Sequence, residues 1–460
     1  MDKLLWPCLV FVFMALSPCI IPAAGQDGAP LPFAAGMCAN KVAGLMDKKN
    51  FAEAVQEIEA FQAKAKTVDP DTAHKKGYTH YYLDFLLGNC CMMMEKQGSG
   101  VVKKAALAYE RAVKKYNGLY QGWLNLGRCR YTLKQMGKAA QAFIRGYNTA
   151  PEKKGAYLYQ AAACYYFNAD YQHALNAFNR LMNNHPAEVT LGRKEVLVNI
   201  LFSLEKNRRA LPYLRELAAK SKGDKKRTWQ EVLLYQYMEL GMDKQAVALA
   251  STLTRQEPEE SKWWRALAHI HLDKKRLEKG LEAFMIYSFT TPLTTSETKL
   301  LADLYAGCNI PLEAARVYED WLERIQNSPE GLSGMGRKKM TDRILAIAGA
   351  FRQGRDFQAA LKWADRGLAR GCDARLLAFK ADLLFREKNY NAAYLAYKNL
   401  AGRERSPGRS WLMAGYAALS CDNPQQAKKA FSLACKYPKV KSAALAALEQ
   451  IRAMRIGEEI

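Results

Sequence analysis

Residue periodicity predicts an all-α solenoid of about eleven stacked helical hairpins closed by a C-terminal capping helix. Three observations predict it. Small residues recur at steps of mostly 33 to 36, aromatic residues recur in fixed phase with them, and no catalytic or metal-ligand motif breaks the pattern. A length of 460 residues allows either two or three ordinary domains or one long array of small units. The 49% apolar and 11% aromatic content is enough to pack a core along the whole array.

The chain opens MDKLLWPCLVFVFMALSPCIIPAAGQDG. One Lys, an apolar run over residues 4–16 and small residues before a polar stretch form the layout of an export signal. Ala23 and Gly25 suit a signal peptidase pocket, which makes residues 1–25 a signal peptide cut before Gln26 and the periplasm the destination. If retained, residues 4–24 are long enough to anchor the protein in a membrane facing the periplasm, although Pro7, Pro18 and Pro22 interrupt them. Acylation at Cys19 is disfavoured by Pro18, which stands where such motifs take Gly, Ala or Ser. Residues 26–36 read as a linker.

The hairpins run from Met37. The clearest reads WLNLGRCRYTLKQMGKAAQAFIRGYNTAP from Trp123. Trp123 and Leu126 are large enough to face a second helix, Gly127 lets the helices approach, Ala139 fits the crossing, Phe143 fills the groove and Pro151 stops the unit. Ala174, Phe178 and Pro186 repeat Ala139, Phe143 and Pro151 at a step of 35. The small residue near the start of each second helix serves as a ruler: Ala54, Ala105, Ala139, Ala174, Ala210, Ala246, Gly280, Ala314, Ala360, Ala393 and Ala427. Phe284, Tyr318, Tyr397 and Phe431 sit four residues after their ruler position, and Phe51, Tyr171, Phe357 and Tyr390 sit three before, all on one apolar face.

This pattern resembles the tetratricopeptide repeat (TPR) over roughly residues 37–455. The resemblance implies a right-handed superhelical solenoid whose first helices line a concave, partner-binding face. Two steps depart from the period. Ala54 to Ala105 carries a long helix around residues 78–94 and a Gly98-Ser99-Gly100 turn; Ala314 to Ala360 carries a Pro-, Gly- and Ser-rich loop at residues 328–338. That loop divides an N-terminal array, 37–327, from a C-terminal array and cap, 339–455, with residues 442–454 as the capping helix.

Lys and Arg outnumber Asp and Glu by 68 to 45, and the leader's Asp2 and Lys3 cancel, so the net charge of +23 survives cleavage. A field of that sign favours acidic partners. Of eleven Cys, two lie in the leader; the other nine show no disulfide-framework spacing and suit tight helix contacts.

Carried over in register, the TPR concave face consists of Arg128, Tyr131, Tyr159, Tyr166, Asn199, Tyr235, Lys262, Arg265, His269, Lys299, Asp303, Arg352, Arg375, Asp382, Arg409 and Tyr416. A basic, Tyr-lined face pairs carboxylates while its rings stack and hydrogen-bond. The family's clamp for a C-terminal carboxylate is incomplete, because Leu300 and Ala346 stand where polar residues are needed. Cys90-Cys91-Met92-Met93-Met94 are consecutive and point around a helix, as do His269 and His271, so neither group converges on a metal. No Gly-rich phosphate loop and no Gly-x-Ser-x-Gly elbow occurs, and no cofactor is implied; an enzyme would need a site assembled across hairpins.

The function expected is therefore a periplasmic scaffold that holds an acidic protein or peptide and serves a membrane-associated complex, with no role for nucleic acid. Residues 300–322, LLADLYAGCNIPLEAARVYEDWL, resemble a segment of TPR proteins associated with TonB/ExbB/ExbD energy-transduction systems. The alternative is a scaffold for an anionic polysaccharide or peptidoglycan.

Overall fold

A computed structural model describes residues 30–94, 98–326, 336–371 and 373–458. The signal peptide, Cys372 and residues 328–335 of the expected loop lie outside the described residues. Those residues contain 24 α-helices and no strand. They form two compact units, meeting in sequence at Leu240 and Gly241 rather than at the 328–338 segment.

In the first unit, α1 (Phe33–Asp47) pairs with α2 (Phe51–Ala63), followed by the short α3 (Pro70–Lys76). Then α4 (Tyr81–Met93) pairs with α5 (Ser99–Lys115), and α6 (Tyr120–Thr132) with α7 (Met136–Thr149). Next come α8 (Gly155–Phe167) with α9 (Tyr171–Asn184), then α10 (Leu191–Ser203) with α11 (Asn207–Lys220), against which α12 (Gly223–Glu239) packs.

The second unit starts with α13 (Asp243–Gln256), which packs on α14 (Ser261–Asp273). The hairpin of α14 and α15 (Leu277–Thr290) precedes that of α16 (Thr295–Gly307) and α17 (Pro311–Gln326). Then follow α18 (Arg337–Gln353) with α19 (Phe357–Ala369), α20 (Ala374–Arg386) with α21 (Tyr390–Ala401), and α22 (Gly408–Ser420) with α23 (Pro424–Ala434). The capping helix, α24 (Lys441–Glu458), lies on α23. This is the expected TPR-type solenoid fold, with a cap.

All eleven ruler residues are buried; each lies near the start of a helix, which in every case but Ala246 on α13 is the second of its pair. Ten of them are the fourth residue of that helix; Ala105, inside the longer α5, is the exception. The position tolerates only a small side chain because the first helix crosses there. At Gly280 a Cβ would come within 2.8 Å of Leu272 Cγ, which is why this hairpin uses Gly where the others use Ala. Gly127 works from the opposite side: a Cβ there would lie 2.9 Å from the Phe143 ring.

The hairpins share a turn that periodicity does not show. Five residues before the ruler, Lys49, Lys134, Ala169, Glu205, Lys275, Asn309, Arg355, Lys388 and Asp422 all adopt left-handed backbone, with φ between 52° and 62°. Each turn closes by two backbone bonds, as at Ala169, where its N–H donates to Tyr166 O (2.9 Å) and that of Asp170 to Tyr165 O (2.9 Å). These are Schellman closures, which satisfy the last carbonyls of the first helix. The following residue starts the second helix, and Asp170, Asp356, Asn389 and Asn423 cap it with their side chains.

Three expectations are corrected. Helix α1 begins at Phe33, inside the expected linker, and α18 begins at Arg337, inside the expected loop. The helix expected around residues 78–94 is present as α4, but at thirteen residues it is no longer than its neighbours. Much of the extra length between Ala54 and Ala105 is α3, started by Asp69 accepting from Thr72 N–H with Pro70 in the first turn.

The eight described cysteines form no disulfide with one another, and five of them are buried in the core. Burial raises the Cys164 thiol to about 12 and the Cys38 and Cys91 thiols to about 11, which suppresses the thiolate that a metal would need. Among the described residues, no three His, Cys, Asp or Glu side chains group to hold a metal. No described helix is long and apolar enough to cross a membrane.

Candidate partner-binding surfaces

Fourteen of the candidates, the expected set without Asp303 and Asp382, all lie on helices that precede a ruler-bearing helix, and none is buried. In the first unit they are Arg128 and Tyr131 on α6, Tyr159 and Tyr166 on α8, Asn199 on α10 and Tyr235 on α12. All are half-buried except Tyr235, which is exposed. The rings are held in place. The Arg193 guanidinium of α10 lies over Tyr159, 4.9 Å from the ring centroid, and Tyr166 packs 5.7 Å from both Phe167 and Tyr171. Burial pushes the Tyr159 hydroxyl above its usual range, with Arg193 opposing, so it stays a neutral donor. Charge around these rings is mixed: Arg193 meets Glu188 (3.2 Å), Lys194 meets Glu216 (2.5 Å) and Lys225 meets Glu195 (3.2 Å).

In the second unit Lys262, Arg265 and His269 are exposed along α14. Lys299 stands on α16, Arg352 on α18, Arg375 on α20, and Arg409 and Tyr416 on α22. Here the structure departs from a simple basic face, because carboxylates meet most of these cations. Arg265 lies 3.5 Å from Glu297, His269 3.3 Å from Asp273, and Lys299 2.6 Å from Asp303. Arg375 bridges Asp342 and Asp373, each at 2.7 Å. Arg352 covers the Phe379 ring at 4.9 Å, and Tyr416 meets Phe431 edge-on at 5.2 Å.

Asp303 and Asp382 are also engaged, accepting from the hydroxyls of Tyr318 (2.5 Å) and Tyr397 (2.6 Å). Burial, then these carboxylates, hold both phenols well above the usual tyrosine range. The two tyrosines occupy the same place in their hairpins, four residues after the ruler. Sequence reasoning listed the acids but missed that a core ring reaches out to each of them.

Glu297, Asp342 and Asp373 were the partners not found from sequence. They sit on a neighbouring hairpin or at a helix start, about 32 positions from the cation they meet in two of three cases. The i, i+4 pairs Lys299–Asp303 and His269–Asp273 carried a signal in their spacing.

No protein-family model matches the chain, and no curated protein does. The protein is similar to a chain of the Naa15/Naa10 assembly bound to HypK-THB, with 14% identity, 86% of this chain and 67% of that one covered, and a TM-score of 0.38. It is also similar to a tetratricopeptide repeat protein of Parabacteroides merdae, with 16% identity, coverage of 59% and 98%, and a TM-score of 0.31. A third similar structure is the P58(IPK) TPR domain, with 10% identity, coverage of 82% and 99%, and a TM-score of 0.24.

Proposed function

We propose that this protein is an exported, periplasmic scaffold whose first helices grip an acidic protein or peptide partner within a membrane-associated complex of the cell envelope. One observation carries the binding role: the ruler residues are all buried, while the candidate Tyr, Arg and Lys on the helices preceding them stay accessible. The export step rests on the leader's residue pattern, and the envelope role on the likeness of residues 300–322 to energy-transduction-associated TPR segments.

Ion pairing sharpens the kind of partner. A peptide carboxylate must displace Glu297 from Arg265 or Asp303 from Lys299, whereas Arg409 has no carboxylate within ion-pair distance among the described residues. Recognition then leans on the fixed Tyr159, Tyr166 and Tyr416 rings, with charge aiding encounter more than affinity.

The test is photo-crosslinking from envelopes with Tyr166 or Arg265 replaced by benzoylphenylalanine. A discrete protein adduct that survives raised salt supports the proposal. Labelling of glycan that collapses between about 50 and 200 mM salt gives the polysaccharide scaffold instead. Absence of an adduct at both positions overturns the assignment of this face.

A further inference from the structure

The second unit carries a groove that the TPR pattern does not account for. It lies between α23 and the capping helix α24 and has a volume of about 810 Å³. Its rim holds Lys428 and Lys429 from α23, Lys436 from the turn just past its end, and Arg452 from α24. All four are exposed, and none forms an ion pair with a described residue. This sets the groove apart from the first-helix face of the same unit, where carboxylates compensate most cations. Its floor is apolar, made by half-buried Leu433 and Leu448 and buried Ile451. No Asp or Glu lines it.

We propose that this groove is a second docking site, which takes an acidic amphipathic helix from a partner protein. Two observations select that occupant. The first is charge: four uncompensated cations around an apolar floor match a segment with carboxylates flanking an apolar stripe. The second is shape. The lining residues of α23 run from Pro424 to Leu433, nine residues or about 14 Å at the helical rise, which matches between two and three turns of a docked helix. The apolar residues of those turns, at i, i+3 and i+7, meet Leu433, Leu448 and Ile451. Acidic residues on either side of that stripe reach Lys428 and Lys436 on one rim and Arg452 on the other. This site is independent of the first-helix face, so either can fail without the other.

The experiment uses the full chain and a fluorescent, end-blocked 14-residue peptide of Leu, Ala and Glu with Leu at i, i+3, i+4 and i+7, followed by anisotropy. A scrambled peptide of the same composition and phosphatidylglycerol vesicles form the other two arms. The amphipathic peptide is expected to bind, and Lys428→Glu with Lys436→Glu to weaken it about tenfold or more. Lys339→Glu with Lys362→Glu, exposed on α18 and α19, makes the same change in net charge and is expected to leave binding within about twofold. Leu448→Ser should weaken the peptide with the rim intact, and circular dichroism checks that each variant is folded. Equal binding of the scrambled peptide, equal loss from both charge reversals, or binding of vesicles but not peptide each overturns the proposal.

Discussion

Replacing Ala169 by Gly should stabilise the first unit, although the same exchange in a helix destabilises it. Ala169 has φ of 57° and is exposed, so only backbone geometry is in play. Left-handed backbone costs an L-residue about 1–2 kcal/mol, which Gly avoids. Against this, Gly frees the unfolded chain by about 0.4–1 kcal/mol. The difference is a gain of about 0.5–1 kcal/mol. Ala60, exposed inside α2, is the control, where Gly should cost about 1 kcal/mol. Urea unfolding followed by circular dichroism, with both variants measured beside the parent, reads the two signs. The turns at Lys134 and Glu205 repeat the geometry, and the gains should add because those sites share no partner. Asn309→Gly should gain less, since Asn already tolerates this region. If Ala169→Gly loses stability as Ala60→Gly does, the left-handed closure of the hairpins is refuted.

Other expectations follow from packing and charge. Asp84 is almost fully buried, with Arg111 Nε at 2.8 Å and Lys115 Nζ at 2.5 Å; replacing both cations by Met leaves the carboxylate with the neutral Gln62 amide (3.3 Å) and no described counter-charge, and should cost about 3–5 kcal/mol in chemical denaturation. Gly127→Ala drives a Cβ to 2.9 Å from the Phe143 ring and should cost about 1–3 kcal/mol, whereas Gly192→Ala, with open space around it, should not destabilise. Burial, and then Lys279 and Arg276, hold the His271 imidazole below its usual range. A base depressed in the folded state contributes its full stability above the unfolded value of 6.5 and loses it as pH falls from there towards the folded value. His271→Gln should therefore flatten the melting-temperature profile of the second unit just below pH 6.5, and an unchanged slope would remove His271 as its source.

The sequence showed most of the fold because its strongest signal is steric. A helix crossing admits only Ala or Gly, so one residue type at one position marks all eleven ruler-bearing helices. The left-handed turns stayed hidden because Lys, Glu, Arg, Ala and Asp occupy them, while Gly is the residue that usually advertises such backbone. Helix α3 was readable in principle from Asp69 and Pro70, a cap and a first-turn proline, but seven residues are too few to show a period. The candidate face was readable only halfway. Helical register put Tyr166, Arg265 and the rest on helices, and the structure leaves their side chains accessible. The neutralising carboxylates came into view only with the stacking of hairpins, which brings Glu297 to Arg265 and Asp342 to Arg375. The groove at α23 and α24 was invisible for the same reason: each lysine alone reads as ordinary helix surface, and only the packing of the cap makes a concavity of them.

The two irregular steps in the ruler have a common address. The extra residues before Ala105 include α3, which lies between the α1/α2 and α4/α5 hairpins, and those before Ala360 lie between α17 and α18. Most of the added length falls between pairs rather than within them, the longer connection from α4 to α5 being the exception. Each hairpin is thus a rigid phrase, locked by its small crossing residue and its left-handed turn, and the pauses between phrases are where the chain has grown. A tag, a hinge or a foreign loop should be accepted at those pauses, and the same insertion five residues before a ruler alanine should silence the phrase that follows.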